Sequence, residues 1–72
     1  MDRREYLLAF YDALDDLPHD VKADVMKEYN DYFKTGTEQG KTDEEIIASL
    51  GDPVALAYAV RQRKGFGSSH GR

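Results

Sequence analysis

The sequence contains no cysteine and no tryptophan, and its longest unbroken apolar run, Val54 to Val60, has only seven residues. Without cysteine the chain forms neither a disulfide nor a thiolate metal site, which fits a reducing compartment. The apolar run is far shorter than the roughly 20 residues that span a bilayer, and the N-terminus has no signal-peptide core. We therefore expect a cytoplasmic protein, with the inner face of the membrane as an alternative location.

The sequence also lacks an evident catalytic constellation. No serine or histidine has the setting of a triad, and a chain of 72 residues has little room for a pocket. Asp12, Asp15, Asp16 and His19 have the spacing of helical metal ligands, but Pro18 interrupts the helix before the histidine. A solvated acidic face is the better interpretation. We expect no enzymatic activity, no cofactor and no metal.

Charge is distributed unevenly along the chain. All 14 acidic residues lie between Asp2 and Asp52, so residues 1–60, with six basic side chains, carry 6 − 14 = −8. Residues 61–72 carry +4. The acidic body repels phosphate backbones and argues against general nucleic-acid binding. The predicted contacts to an anionic surface are therefore restricted to Arg61, Arg63 and Lys64.

Two longer helices are predicted in the first half of the chain. Helix 1 extends from about Arg3 to Leu17, beginning with a capping-box-like Asp2 and stopping at Pro18. Helix 2 begins at residues 18–20 and continues to about Gln39. Its end has two interpretations. Gly36 lies on the apolar stripe, which favours an end at Gly40, but an end at Gly36 stays open.

Two shorter helices follow. Thr42 with Glu45 forms a capping box at the start of helix 3, and Gly51 ends it. Asp52-Pro53 then provides a cap and a first-turn proline for helix 4, which extends to about Arg63. The sequence thus predicts an all-α fold: a compact bundle of four helices over residues 1–64, followed by a flexible, basic, Gly/Ser-rich tail over residues 65–72.

Helix 4 is apolar on every side. At about 100° per residue, Val54 and Tyr58 point one way while Leu56 and Val60 point nearly opposite. Either this helix is central and buried all round, or one side needs a partner. Tyr6 and Leu8 lie off the main stripe of helix 1 and are less committed to the core. The predicted partner-binding residues are Leu56, Tyr58, Val60, Tyr6 and Leu8.

The order of these features resembles that of the HAAS signalling domain (DUF1700). The matching stretches are Glu5-Tyr6-Leu7, Leu17-Pro18, Tyr29 to Phe33 with Gly36, Gly40 to Ile47, Leu50-Gly51-Asp52-Pro53 and Ala57. The resemblance implies an all-helical bacterial module encoded beside PadR-like transcriptional regulators and linked to membrane-associated systems. Relatives often continue into transmembrane helices or a sensor domain, whereas this chain ends in a short basic tail. It implies no catalytic residues.

From these observations we expect a non-enzymatic protein-interaction and signalling module that binds itself or a regulator of PadR type. One alternative is helix-turn-helix DNA binding by helices 3 and 4. Another is peripheral membrane binding through the basic tail, at about 1 kcal/mol per basic residue.

Overall fold

The computed structural model describes residues 1–65 and contains four α-helices in that part of the chain. They are α1 (Arg3–Ala13), α2 (His19–Glu38), α3 (Asp43–Leu50) and α4 (Pro53–Arg63). Residues 1–65 contain no strand, so the predicted all-α fold is confirmed. Apart from Gly65, the predicted tail lies outside the described residues.

The first helix begins as predicted but ends earlier. Asp2 accepts a hydrogen bond from the backbone N–H of Glu5 at 2.9 Å, and its own N–H donates to the Glu5 carboxylate, which completes a capping box. The helix ends at Ala13, so the predicted end at Leu17 is wrong. Leu17 and its predecessors form tighter turns, because Pro18 disfavours helical geometry in the residue before it.

The second helix passes through Gly36 and ends before Gly40, as the preferred interpretation predicts. Gly40 has φ +86°, a geometry that glycine adopts without strain. Its N–H donates to the carbonyl of Thr37, and the N–H of Lys41 donates to the carbonyl of Gly36, both at 3.0 Å. These are the two bonds of a Schellman motif. Gly36 itself is buried against Ile46.

A sharp turn joins α3 to α4. Gly51, with φ +83°, ends α3, and the Asp52 carboxylate accepts hydrogen bonds from the N–H groups of Val54 and Ala55. Pro53 occupies the first turn of α4, where a missing N–H costs nothing. The turn therefore directs α4 back across α1.

The core is organised around α1, which packs on each of the other three helices. Phe10 meets Tyr29 edge to face with ring centroids 5.0 Å apart, and Tyr6 meets Phe33 at 6.0 Å. The interpretation that α4 is the central helix is wrong, since α4 packs mainly on α1. The buried apolar residues are Tyr6, Phe10, Leu14, Leu17, Val25, Tyr29, Phe33, Ile46, Ala57 and Val60.

Candidate docking site on the fourth helix

The apolar sequence of α4 is divided between a buried face and an exposed one. Ala57 and Val60 are buried against α1 and α2 residues of the core, and Leu56 is half-buried. Val54 and Tyr58, one helical turn apart, are 62% and 57% exposed. The core therefore covers only one side of a helix whose sequence is apolar all round.

We call the exposed side of this helix the α4 outer face. It consists of Val54, Ala55, Tyr58, Ala59 and Gln62, all classed as exposed. No charged residue occurs between Asp52 and Arg61, in a chain of which 33% is charged. The face therefore offers methyl groups, one phenol ring and the amide of Gln62, and tyrosine is enriched in protein interfaces.

Tyr6 is fully buried, so the prediction that its side chain contacts a partner is wrong. Its hydroxyl donates a hydrogen bond of 2.9 Å to the carbonyl of Gly51, tying α1 to the turn before α4. Burial, together with the negative charge of Asp52, raises the pKa of Tyr6 to about 12. The ring is part of the scaffold that positions α4.

Val60, a second predicted contact residue, is also buried, so the prediction that it contacts a partner is wrong. It is fully buried in the same cluster as Phe10 and Leu14, because α1 covers that side of α4. Leu56 is only half-buried, but it packs against the core. Of the five predicted residues, only Tyr58 lies on the α4 outer face, while Leu8, 58% exposed, lies on α1.

Val54 is a surface residue that the set of predicted contacts omitted. At 62% it is the most exposed large apolar side chain of residues 1–65, ahead of Met1 at 59%. The signal was present in the sequence, because Val54 precedes Tyr58 by four positions and so shares its side of the helix.

The basic residues at the end of α4 are partly engaged within the chain. Arg61 donates to the carbonyl of Ala13 at 2.6 Å and to the Asp16 carboxylate at 2.9 Å. It thereby satisfies a free carbonyl at the end of α1. Arg63 lies 3.9 Å from the Glu28 carboxylate, and its contact with the Tyr29 hydroxyl raises its pKa. Lys64, the helix C-cap, is exposed.

The side chains with metal-ligand spacing do not form a cluster; they are Asp12, Asp15, Asp16 and His19. Asp16 is bound to Arg61, and His19 begins a different helix from the one that carries Asp12. Within residues 1–65, no group of three or more His, Asp or Glu side chains is placed to hold a metal ion. None of the helices in this part of the chain is both long enough and apolar enough to cross a membrane.

The fold and this surface define a small all-helical domain with an uncharged face available for contact. Residues 5–59, which make up 55 of the 72 residues, match the HAAS family, and the chain belongs to it. HAAS domains are small non-catalytic domains of the signalling and interaction type. Comparison with curated proteins and with solved structures found no match.

Proposed function

We propose that this HAAS domain is a docking module that binds a protein of a bacterial regulatory system through the α4 outer face, with a PadR-like transcriptional regulator as the partner. The family resemblance supplies this partner. The observation that carries the proposal is the exposure of Val54 and Tyr58, 62% and 57%, on a helix side without a charge. Water contact with this side is unfavourable by about 25 cal/mol per Å² of apolar area.

The net charge of the chain, and not the size of the face, favours a regulator over a second copy of the chain. An 11-residue helix is about 16 Å long and about 10 Å wide, so one side offers a few hundred Å². Stable interfaces bury about 800 Å² on each partner. Two copies would also bring together chains that each carry a net charge of −4. This like-charge repulsion disfavours a second copy of the chain and leaves a regulator as the favoured partner.

The basic end of α4 gives less support to the alternatives of DNA or membrane contact. Arg61 and Arg63 each lie near a carboxylate of the same chain, Asp16 and Glu28. An anionic ligand would have to compete with these groups. The uncharged face has no such competitor, so protein docking is the function that we retain.

Titration calorimetry with a purified PadR-like regulator encoded beside this chain tests the proposal. We expect binding by the wild-type chain and a loss of at least about tenfold in affinity for Val54→Asp and for Tyr58→Lys, since each places a charge in the interface. Thr35→Asp, on the exposed side of α2, is the matched control and should bind normally.

Both substituted positions are exposed, so circular dichroism should show unchanged helicity in these variants. The proposal is wrong if the regulator fails to bind, or binds the two α4 variants as tightly as the wild type. Light scattering tests whether a second copy of the chain occupies the face instead. A wild-type dimer that Tyr58→Lys dissociates would assign the face to self-association and overturn the choice of a regulator.

A further inference from the structure

A small pocket lies between the end of α2 and α3, apart from the α4 outer face. Its volume is about 170 Å³, and its lining residues belong to α2, α3 and the turn between them, with none from α4. Gly36 and Ile46, both buried, form its base, and Tyr32 lines its side. A cavity of about 150 Å³ holds benzene, so this pocket has room for a molecule of about seven non-hydrogen atoms.

Two hydrogen bonds hold one side of the pocket in place. The Ser49 hydroxyl donates to the carbonyl of Ile46 at 2.7 Å. Since a hydroxyl has a single proton, the Tyr32 hydroxyl is the donor in the 3.1 Å bond between Tyr32 and Ser49. Both protons are therefore used within the chain, and other residues have to supply the donors for a ligand.

The remaining lining residues form a rim with one formal charge, which is positive. They are Thr35, Gln39 and Lys41, all exposed, and no lining residue is acidic. Among residues 1–65, Lys41 takes part in no ion pair. The nearby end of α2 has a dipole equivalent to about half a negative charge. The full charge of Lys41 outweighs that dipole, so the rim favours an anion.

An apolar base beneath a cationic rim favours a ligand with an apolar body and one negative group. The body would contact the side chain of Ile46 and the ring of Tyr32. A carboxylate at the rim would accept a charge-assisted hydrogen bond from Lys41 and a second bond from the amide of Gln39. Inorganic phosphate would leave the base in water, and a hydrocarbon would leave Lys41 without a partner.

We propose that the pocket between α2 and α3 binds a small monocarboxylate, with Lys41 pairing with the carboxylate and Ile46 contacting the apolar body. This site does not depend on the α4 outer face. The domain then combines a surface for a protein partner with a pocket for a small molecule.

The probe is isovalerate, a branched carboxylate that matches this size, and isovaleramide is its uncharged counterpart of the same shape. Amide NMR spectra of the full chain should show saturable shifts at Gly36, Lys41 and Ser49 as isovalerate is added, with a dissociation constant of about 1–10 mM. Isovaleramide should bind at least about fivefold more weakly, since it forms no charge-assisted hydrogen bond with Lys41.

Substitution of Lys41 tests the source of the selectivity. Lys41→Met keeps most of the apolar stem but removes the charge, and it should weaken isovalerate binding at least about fivefold. Lys34→Met is the matched control, since it removes the same charge from an exposed position of α2 outside the pocket and should leave binding unchanged. Thr35→Asp, which places a carboxylate at the rim, is a second variant that should weaken binding.

Three results would overturn the proposal: no saturable shift up to about 50 mM isovalerate, equal binding of isovaleramide, or equal binding by Lys41→Met. The same spectra report whether each variant is folded. Val54→Asp should retain isovalerate binding, and Lys41→Met should retain regulator binding. Failure of the pocket is therefore distinguishable from failure of the α4 outer face.

Discussion

The long helix α2 and the short helix α4 both bury one side in the core, but they show solvent very different surfaces. The exposed side of α2 is highly charged, with Asp24, Lys27, Glu28, Asp31 and Lys34, while the α4 outer face has no charge. Charged residues on the exposed side of α2 are what is expected of a helix side in contact with water. The fold therefore does not require an uncharged exterior, and the proposed docking function would account for the composition of the α4 outer face.

The largest expected effect comes from placing an aspartate on the buried side of α4, compared with the same substitution on its exposed side. Val60→Asp places a charge without a partner at a fully buried position, so we expect a loss of more than about 3 kcal/mol in the free energy of unfolding. Val54→Asp makes the same chemical change at an exposed position in the first helical turn, where acid is tolerated. Urea denaturation measures both. Equal destabilisation would refute the division of α4 into two sides.

A smaller effect is expected where α2 approaches α3. A Cβ at Gly36 would lie 2.6 Å and 2.8 Å from side-chain atoms of Ile46, which is itself 1% exposed and has little room to move. Overpacking costs about 1–3 kcal/mol, while the gain in helix propensity is at most about 1 kcal/mol. Gly36→Ala should therefore lower the free energy of unfolding by about 1 kcal/mol in urea denaturation.

The same substitution in an Ile46→Ala variant provides the control. Ile46→Ala removes the atoms that the new methyl would meet, so Gly36→Ala should be neutral or stabilising in that variant. Stabilisation by Gly36→Ala in the wild-type background would show that Ile46 moves aside freely, contrary to the packing described here.

Alkaline pH probes the contact between α1 and the turn before α4. The pKa of Tyr6 is about 12 in the folded chain and 10.0 when unperturbed. Between these values the unfolded chain releases this proton while the folded chain keeps it, so stability falls as pH rises from about 10 to about 12. Tyr6→Phe should lack this part of the loss, and at neutral pH it should cost about 1 kcal/mol for the hydrogen bond to Gly51.

Chemical denaturation followed by circular dichroism at several pH values gives the comparison. Tyr58→Phe is the matched control, since Tyr58 is exposed and its removal should leave the alkaline loss intact. Identical pH profiles for Tyr6→Phe and the wild type would contradict the assignment to Tyr6.

The smallest expected effect comes from making α4 resemble α2. Val54→Glu with Tyr58→Lys should change the free energy of unfolding by less than about 0.5 kcal/mol, because both side chains are exposed and the pair is oriented favourably for the helix dipole. Urea denaturation of the double variant measures this. A loss of several kcal/mol would mean that the α4 outer face stabilises the fold itself.

The starts of the helices could be predicted from the sequence because their signals are local. Asp2 with Glu5 and Thr42 with Glu45 form the capping boxes that their spacing predicts, and Gly40 has the positive φ expected after α2. These features depend on neighbouring residues alone. The predicted resemblance to the HAAS family is confirmed by the match over residues 5–59.

The burial of Tyr6 could not be predicted in the same way. Periodicity within one helix identifies one apolar stripe, but α1 is covered by three other helices, so residues beside the stripe are buried as well. For the docking site, spacing placed Tyr58 on the same side as Val54. It could not decide which side of α4 faces the core, because both sides are apolar.

The central position of α1 has a consequence for how the chain folds during synthesis. Phe10 and Leu14 share a cluster with Ala57 and Val60, which lie 43 to 50 positions later in the chain. The helix that leaves the ribosome first is thus the one whose surroundings are completed last. Until α4 emerges, α1 has an open flank, and this cluster is completed only when α4 packs on α1.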